Sequence, residues 1–216
     1  MQRILISSFL FLVAFASPLV VSAHQPKIVN NGVPVVIEQP EISKAYYGQL
    51  QGEPQVFKIH ALSTFKFYMN VLVPDVAGAK KDVSAALVTT TSPEKPVAII
   101  DGITATWTPF FEEFARDDYF KGPEFRSELP AGTYEIRVWS SNNDSAYSLA
   151  IGEEESFSLS ETISAFVTIP QIKSFFFHKP AYSAFLTPFF GFPILIALGM
   201  LLYFSKALWS RRNQVS

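Results

Sequence analysis

The sequence predicts an all-β protein, an antiparallel β-sandwich ectodomain of jelly-roll type followed by one C-terminal transmembrane helix. Short runs of β-branched and aromatic residues recur between clusters of Pro, Gly, Asn, Asp and Ser, a spacing typical of antiparallel all-β domains. Positions 181–205 hold no charged residue. The 216 residues are 49% hydrophobic and include 21 Phe and no Cys, which excludes a disordered chain and a disulfide-stabilised scaffold.

Eight runs are predicted to be strands: 33–37, 45–50, 56–61, 65–73, 84–90, 97–100, 133–139 and 147–151. In the clearest one, Phe65, Phe67 and Met69 alternate with more polar residues, so one face is apolar. Such one-sided strands need a second layer, and a second sheet supplies it. The polar loop 140–145 predicts that the last two strands pair as a hairpin.

The two ends of the chain predict export and membrane attachment. Residues 1–23 combine Arg3, an apolar stretch and Val21-Ser22-Ala23, as in a signal peptide cleaved after Ala23. The sandwich is expected at 24–155, an amphipathic stalk with one or two short helices broken at Pro170 at 156–181, the transmembrane helix at 182–205 and a cytoplasmic tail at 206–216. We therefore expect a single-pass protein of the cell membrane, held in the lipid bilayer by 182–205, with its N-terminal domain extracytoplasmic.

The charge distribution is consistent with this topology. Positions 24–181 hold 13 Lys and Arg against 19 Asp and Glu, a net charge of −6, whereas Lys206, Arg211 and Arg212 make the tail basic. An acidic ectodomain repels nucleic acid, so a nucleic-acid partner is not expected.

Segment 107–119 is unusually rich in acids and aromatics for a connection between strands. On an irregular loop, the carboxylates of Glu112, Glu113, Asp117 and Asp118 are the oxygen ligands that Ca²⁺ prefers. Alternatively, aromatic rings beside acids contact a glycan or peptide, with Trp107 and Tyr119 as the candidates. The third interpretation is a long connection held by Phe side chains, with its acids in solvent.

His24 becomes the first residue if the leader is cleaved after Ala23. Its α-amine and its ring could then bind copper, although the other histidines are only His60 and His178. The alternative is that His24 is the free end of a leader.

The sequence has no Cys nucleophile, no Gly-x-Ser-x-Gly elbow, no His-Glu-x-x-His motif and no phosphate-binding Gly-rich loop, so the protein is expected not to be an enzyme. The leading hypothesis is a membrane-anchored module that binds an unknown ligand, with a glycan or another envelope protein as partner. The alternatives are a divalent-metal-handling envelope protein, using calcium or copper, and a structural subunit of a membrane complex.

Two short segments near the end of the predicted sandwich also carry a family resemblance. Pro130-Ala131-Gly132-Thr133-Tyr134 enters one strand and Tyr147-Ser148-Leu149 lies in the next. Over about 42–152, and most specifically over 129–151, the chain resembles bacterial pre-peptidase C-terminal domains. The resemblance implies a jelly-roll β-sandwich with an accessory binding or stabilising role, and it transfers no site residue.

Overall fold

The computed structural model describes residues 24–156 and 158–212. The expected signal peptide, at 1–23, lies outside the described residues. Strands fill the region up to Ile151 and helices follow it. The strands are β1 (Gln25–Ile28), β2 (Val35–Ile37), β3 (Lys44–Gln49), β4 (Gln55–Ala61), β5 (Phe65–Pro74), β6 (Ser84–Thr89), β7 (Ala98–Ile100), β8 (Thr108–Glu112), β9 (Asp117–Leu129), β10 (Gly132–Trp139) and β11 (Ala146–Ile151).

These strands form two sheets that pack face to face. The larger sheet has the order β1-β3-β11-β5-β9-β8 and the smaller one the order β2-β4-β10-β6-β7. Neighbouring strands are antiparallel except for β1 with β3 and β2 with β4, which are parallel. The predicted β-sandwich is confirmed, with a parallel pair at one edge of each sheet.

The core lies between the sheets, where the alternating pattern placed it. Phe67, Met69 and Val71 of β5 are buried in one cluster with Phe57 of β4 and Ile136 of β10. Burying each of these side chains stabilises the fold by about 1.5–3 kcal/mol. The apolar face predicted for 65–73 therefore points into the core.

The predicted hairpin of the last two strands is wrong. β10 pairs with β4 and β6 in the smaller sheet, whereas β11 pairs with β3 and β5 in the larger one. Each strand has an apolar face, and the two faces meet across the core instead of lying side by side. The polar loop 140–145 therefore connects the sheets.

Segment 107–119 is not an irregular loop. Residues 108–112 form β8, which pairs antiparallel with the start of β9 from Glu112 opposite Asp117 to Thr108 opposite Lys121. Arg116, in the turn between them, has a φ of 58°. The segment thus forms a hairpin at one edge of the larger sheet.

Helix α1 (Leu159–Phe175) covers part of the outer face of the larger sheet. It begins with a capping box in which Ser158 and Glu161 each bind the other's backbone N–H. The predicted break at Pro170 does not occur, because packing on both sides of Pro170 holds the helix together. The sheet contact buries these side chains together: Tyr68, Leu72, Tyr119, Ala150, Ile172, Phe176 and Phe177.

After α1 the chain forms a 3₁₀ helix (Ala181–Leu186) and then α2 (Pro188–Arg212). The long helix therefore begins at Pro188 rather than at 182, as suits a proline in the first helical turn. Among the described residues, no helix meets both the length and the hydropathy of a membrane span.

Candidate functional site

The outer face of the larger sheet carries a cavity of about 620 Å³. It lies over β3, β11, β5 and β9 and is bordered by β8 and by the residue before β1. Its lining consists of His24, Ala45, Tyr47, Tyr68, Asn70, Leu72, Phe110, Phe111, Glu112, Glu113, Tyr119, Lys121, Ser148 and Ala150. The volume is in the range that holds small organic ligands.

Small side chains form the floor of this cavity. Strand register places Ala150 between Ala45 and Asn70, and places Ser148 between Tyr47 and Leu72. Successive side chains on one strand face alternate sides, so both rows belong to the outer face. The short side chains of Ala45, Ala150 and Ser148 therefore form a floor between taller neighbours.

Aromatic side chains form the walls. The hydroxyls of Tyr47 and Tyr119 are hydrogen-bonded at 3.0 Å, and the rings of Phe110 and Tyr119 lie 6.4 Å apart between centroids. Burial raises the pKa of Tyr47, Tyr68 and Tyr119, so all three remain protonated hydroxyls at neutral pH. The walls are therefore neutral, with hydroxyl groups at their edges.

Asn70 is fully buried and bonded through only one end of its amide. Its Nδ2 donates to the carbonyls of Gly122 (2.8 Å) and Pro123 (2.9 Å), where the register of β5 with β9 shifts. Pro123 has no backbone N–H, so the hydrogen-bond ladder between β5 and β9 is interrupted there. The carbonyls of Gly122 and Pro123 can therefore accept from Asn70. Among the described residues, no donor reaches Asn70 Oδ1. A buried amide oxygen without a donor is costly, which makes it a candidate ligand contact.

The four predicted acidic ligands have different environments. Glu112 Oε1 and Oε2 accept the backbone N–H groups of Phe114 and Ala115 at 2.7 and 2.8 Å, and burial raises its pKa. Glu113 is exposed at the rim of the cavity. Asp118 is exposed, and its carbonyl accepts the N–H of Asp75.

The carboxylate of Asp117 forms ion pairs with two lysines. Its two oxygens bind Lys173 Nζ at 2.7 Å and Lys179 Nζ at 2.9 Å. Within residues 24–156 and 158–212, no group of three or more His, Cys, Asp or Glu side chains is placed to hold a metal ion.

The remaining predicted site residues are divided between the cavity and the core. His24 lines the cavity, with Nδ1 2.5 Å from Ser43 Oγ, and burial lowers its pKa so that the ring is neutral at pH 7. Tyr119 also lines the cavity. Trp107 does not; it packs against the core and its Nε1 donates to the carbonyl of Gly102 at 2.9 Å.

Of the predicted site residues, His24, Glu112, Glu113 and Tyr119 line the cavity. The sequence analysis named neither the cavity floor nor the buried Asn70 and Lys173. Asn70 and Lys173 each left a trace in the sequence, as a polar residue in a largely apolar run. Such a residue is buried only with a partner, and the partner is visible only in the fold.

Comparison with known proteins identifies no family. No family model and no curated protein match the chain. Among solved structures, the pre-peptidase C-terminal domain of a collagenase from Bacillus anthracis is similar over 60% of this chain and 95% of its own, at 9% identity and a TM-score of 0.32.

Two further solved structures resemble this chain to a similar degree. CorA, a surface-associated copper-binding protein from Methylomicrobium album BG8, is similar over 60% of this chain and 100% of its own, at 8% identity and a TM-score of 0.30. A β-glucosidase from Paenibacillus barengoltzii is similar over 59% of this chain and 13% of its own, at 11% identity and a TM-score of 0.28. The assignment of the β-sandwich depends on the two sheets themselves.

Proposed function

We propose that this protein is a membrane-anchored, extracytoplasmic binding module whose outer-face cavity holds a small saccharide. The observation that carries the proposal is the buried Oδ1 of Asn70, to which no described residue donates, in an aromatic-walled cavity of about 620 Å³. Ligand sites typically combine such walls with a few polar groups that fix orientation.

The polar groups of the cavity favour a ligand that donates hydrogen bonds. Asn70 Oδ1 and the carboxylate of Glu113 are acceptors, and Glu112 retains acceptor capacity beyond its two backbone bonds. The strongest donor at the rim, the ammonium group of Lys121, is paired with Glu124. The acceptors named here suit a molecule rich in hydroxyl groups.

The walls favour a ligand with flat apolar faces. Phe110 of the edge strand β8 is partly exposed and borders the cavity beside Tyr119. The C–H face of a sugar ring packs on such rings while its hydroxyls reach the acceptors. A saccharide meets both requirements.

The anchor is part of the proposal. Twenty-five successive positions, 181–205, lack charge, and α2 continues to Arg212. Its described large apolar side chains, such as Leu195, Leu198 and Leu201, are exposed to the surroundings, which suits hydrocarbon better than water. We expect the protein in the membrane fraction, resistant to alkaline carbonate and released only by detergent. Recovery in the carbonate supernatant would contradict the anchor.

Binding is tested with the full-length protein in a detergent without a sugar headgroup. A panel of neutral mono-, di- and trisaccharides is titrated by calorimetry, and we expect at least one to bind. Glu113→Gln and Phe110→Ala should weaken binding of that sugar at least several-fold, because each removes a rim contact. If no sugar of the panel produces heat, the saccharide proposal is wrong.

Two matched controls lie outside the cavity. Glu94→Gln changes an exposed acid in the turn between β6 and β7, and Phe175→Ala changes a partly exposed Phe at the end of α1. Neither residue lines the cavity. Equal losses in the controls and in the rim variants would place the sugar elsewhere.

A further inference from the structure

Three large apolar side chains stand on the solvent side of α1 although the helix lies at the surface. Leu159, Ile163 and Val167 repeat every four residues, so they share one helical face. Their exposures are 77%, 61% and 62%. Surface helices normally present polar residues at such positions, so this face needs an apolar partner.

The apolar surface continues onto the 3₁₀ helix. Ala184 packs with Ala165 and Ile169 of α1, which fixes the 3₁₀ helix alongside α1. The outward residues of this second element are Tyr182, Phe185 and Leu186, all exposed. We use the term apolar collar for six of the exposed apolar residues of the two elements: Leu159, Ile163, Val167, Tyr182, Phe185 and Leu186.

The collar directly adjoins the beginning of α2. The rings of Phe166 in α1 and Phe190 in α2 lie 4.6 Å apart between centroids, and the rings of Phe185 and Phe190 lie 5.4 Å apart. The exposed apolar side chains of α2 therefore start within about one helical turn of the collar, so the two surfaces face the same medium.

The charged residues of α1 do not oppose an apolar partner. Glu161 binds the Ser158 backbone and lies 3.9 Å from Lys27, and Lys173 is buried against Asp117. Both charges are thus bound by protein groups on other sides of the helix, and the collar itself carries none.

We infer that the apolar collar lies in the interfacial layer of the lipid bilayer, so that the sandwich rests on the membrane with α1 along its surface. The inference depends on the proposed anchor, because continuity with α2 identifies the medium as lipid. Interfacial helices bury an apolar face to a depth of ~5–10 Å in this layer, and aromatic residues such as Tyr182 favour it.

Single-cysteine labelling tests the collar in the full chain, which contains no natural Cys. Ile163→Cys in the collar, Ile99→Cys on the smaller sheet and Leu198→Cys in α2 are labelled with an environment-sensitive fluorophore and reconstituted in phosphatidylcholine vesicles. Ile99 is the matched control, with an exposure of 58% on the opposite side of the sandwich. All three side chains are exposed, so the substitutions leave the fold intact.

Lipids brominated on their acyl chains quench only labels that enter the bilayer. We expect the labels at 163 and 198 to lose at least half of their fluorescence and the label at 99 to lose almost none. Quenching at 198 with none at 163 overturns the collar alone. No quenching at 198 overturns the anchor, and if 163 is also unquenched the collar is wrong as well.

Discussion

Lys173 Nζ lies 2.7 Å from Asp117 Oδ2, and these side chains are only 3% and 1% exposed. Lys179 binds the other oxygen of the same carboxylate, and Lys173 also donates to the carbonyl of Ala115. Burial lowers the pKa of Lys173, with the ion pair to Asp117 opposing this shift. The end of α1 is therefore fixed to the start of β9 by a buried group of charges.

Asp117→Asn should destabilise the protein strongly, because it leaves Lys173 buried without a counter-charge. Breaking a buried pair in this way costs about 3–5 kcal/mol. Chemical denaturation in detergent measures the loss. The neighbouring Asp118 is exposed, so Asp118→Asn should change stability by less than about 0.5 kcal/mol. Similar losses in both variants would show that the buried pair is not what matters.

Gly152→Ala should be far more damaging than Gly52→Ala. Both glycines have positive φ, 72° and 86°, so both variants suffer backbone strain of ~1–2 kcal/mol. A Cβ at Gly152 would lie 2.5 Å from the carbonyl oxygens of Glu41 and Ile42, whereas Gly52 faces open space. Thermal unfolding measures the difference, and equal midpoints would refute the close approach at Gly152.

Tyr147→Phe should preserve or raise stability. The Tyr147 side chain is fully buried, and its hydroxyl has no hydrogen-bond partner within the part of the chain that the structure describes. Removing an unpaired buried hydroxyl recovers up to ~1–3 kcal/mol. By contrast, Tyr134 donates to the carbonyl of Pro130 at 2.8 Å, so Tyr134→Phe should lose about 1 kcal/mol. If Tyr147→Phe lowered the free energy of unfolding as much as Tyr134→Phe does, the Tyr147 hydroxyl would have a hydrogen-bond partner after all.

Stability should fall in acid as Glu124 is protonated. Hydrogen bonds from Lys121, Arg126 and Tyr68 hold the pKa of Glu124 at about 2, below its ordinary 4.5. A depressed acid pKa contributes stability above the unfolded value, and this contribution disappears between pH 4.5 and 2. Because the side chain is 26% exposed, solvent screening limits it to about 1 kcal/mol.

The measurement is the unfolding free energy across this pH interval. Glu124→Gln should flatten the profile. The matched control is Glu128→Gln, which changes an exposed position in the same strand. A profile unaffected by Glu124→Gln would contradict the assignment.

Much of the sandwich could be predicted because eight strands carry local signals. Those predicted at 56–61, 65–73 and 133–139 differ from β4, β5 and β10 by one residue at an end. Here a buried inner face imposes the alternation of residues directly.

The other strands lack such a signal. In β9, Gly122 and Pro123 interrupt the pattern, and the short β1 and β8 lie at sheet edges. The hairpin error has a different cause, since a turn-like loop reveals that the chain reverses but not which sheet the next strand joins.

The candidate site could be predicted only where unusual residues cluster in sequence. Glu112, Glu113 and Tyr119, which line the cavity, were named because acids and aromatics adjoin each other in 107–119. Ala45 and Ala150 become a cavity floor only through the register of β3 with β11, which a single sequence does not display.

The two ion pairs that Lys173 and Lys179 form with Asp117 determine how a mechanical force passes from the C-terminal helix to the sandwich. A force that pulls on α2 is transmitted through these ion pairs to β9, which is hydrogen-bonded to β5 and β8. It does not act first on the segment that follows β11. The sandwich is thus fixed at its end towards α2. It should move together with that helix as one rigid body, not independently of it.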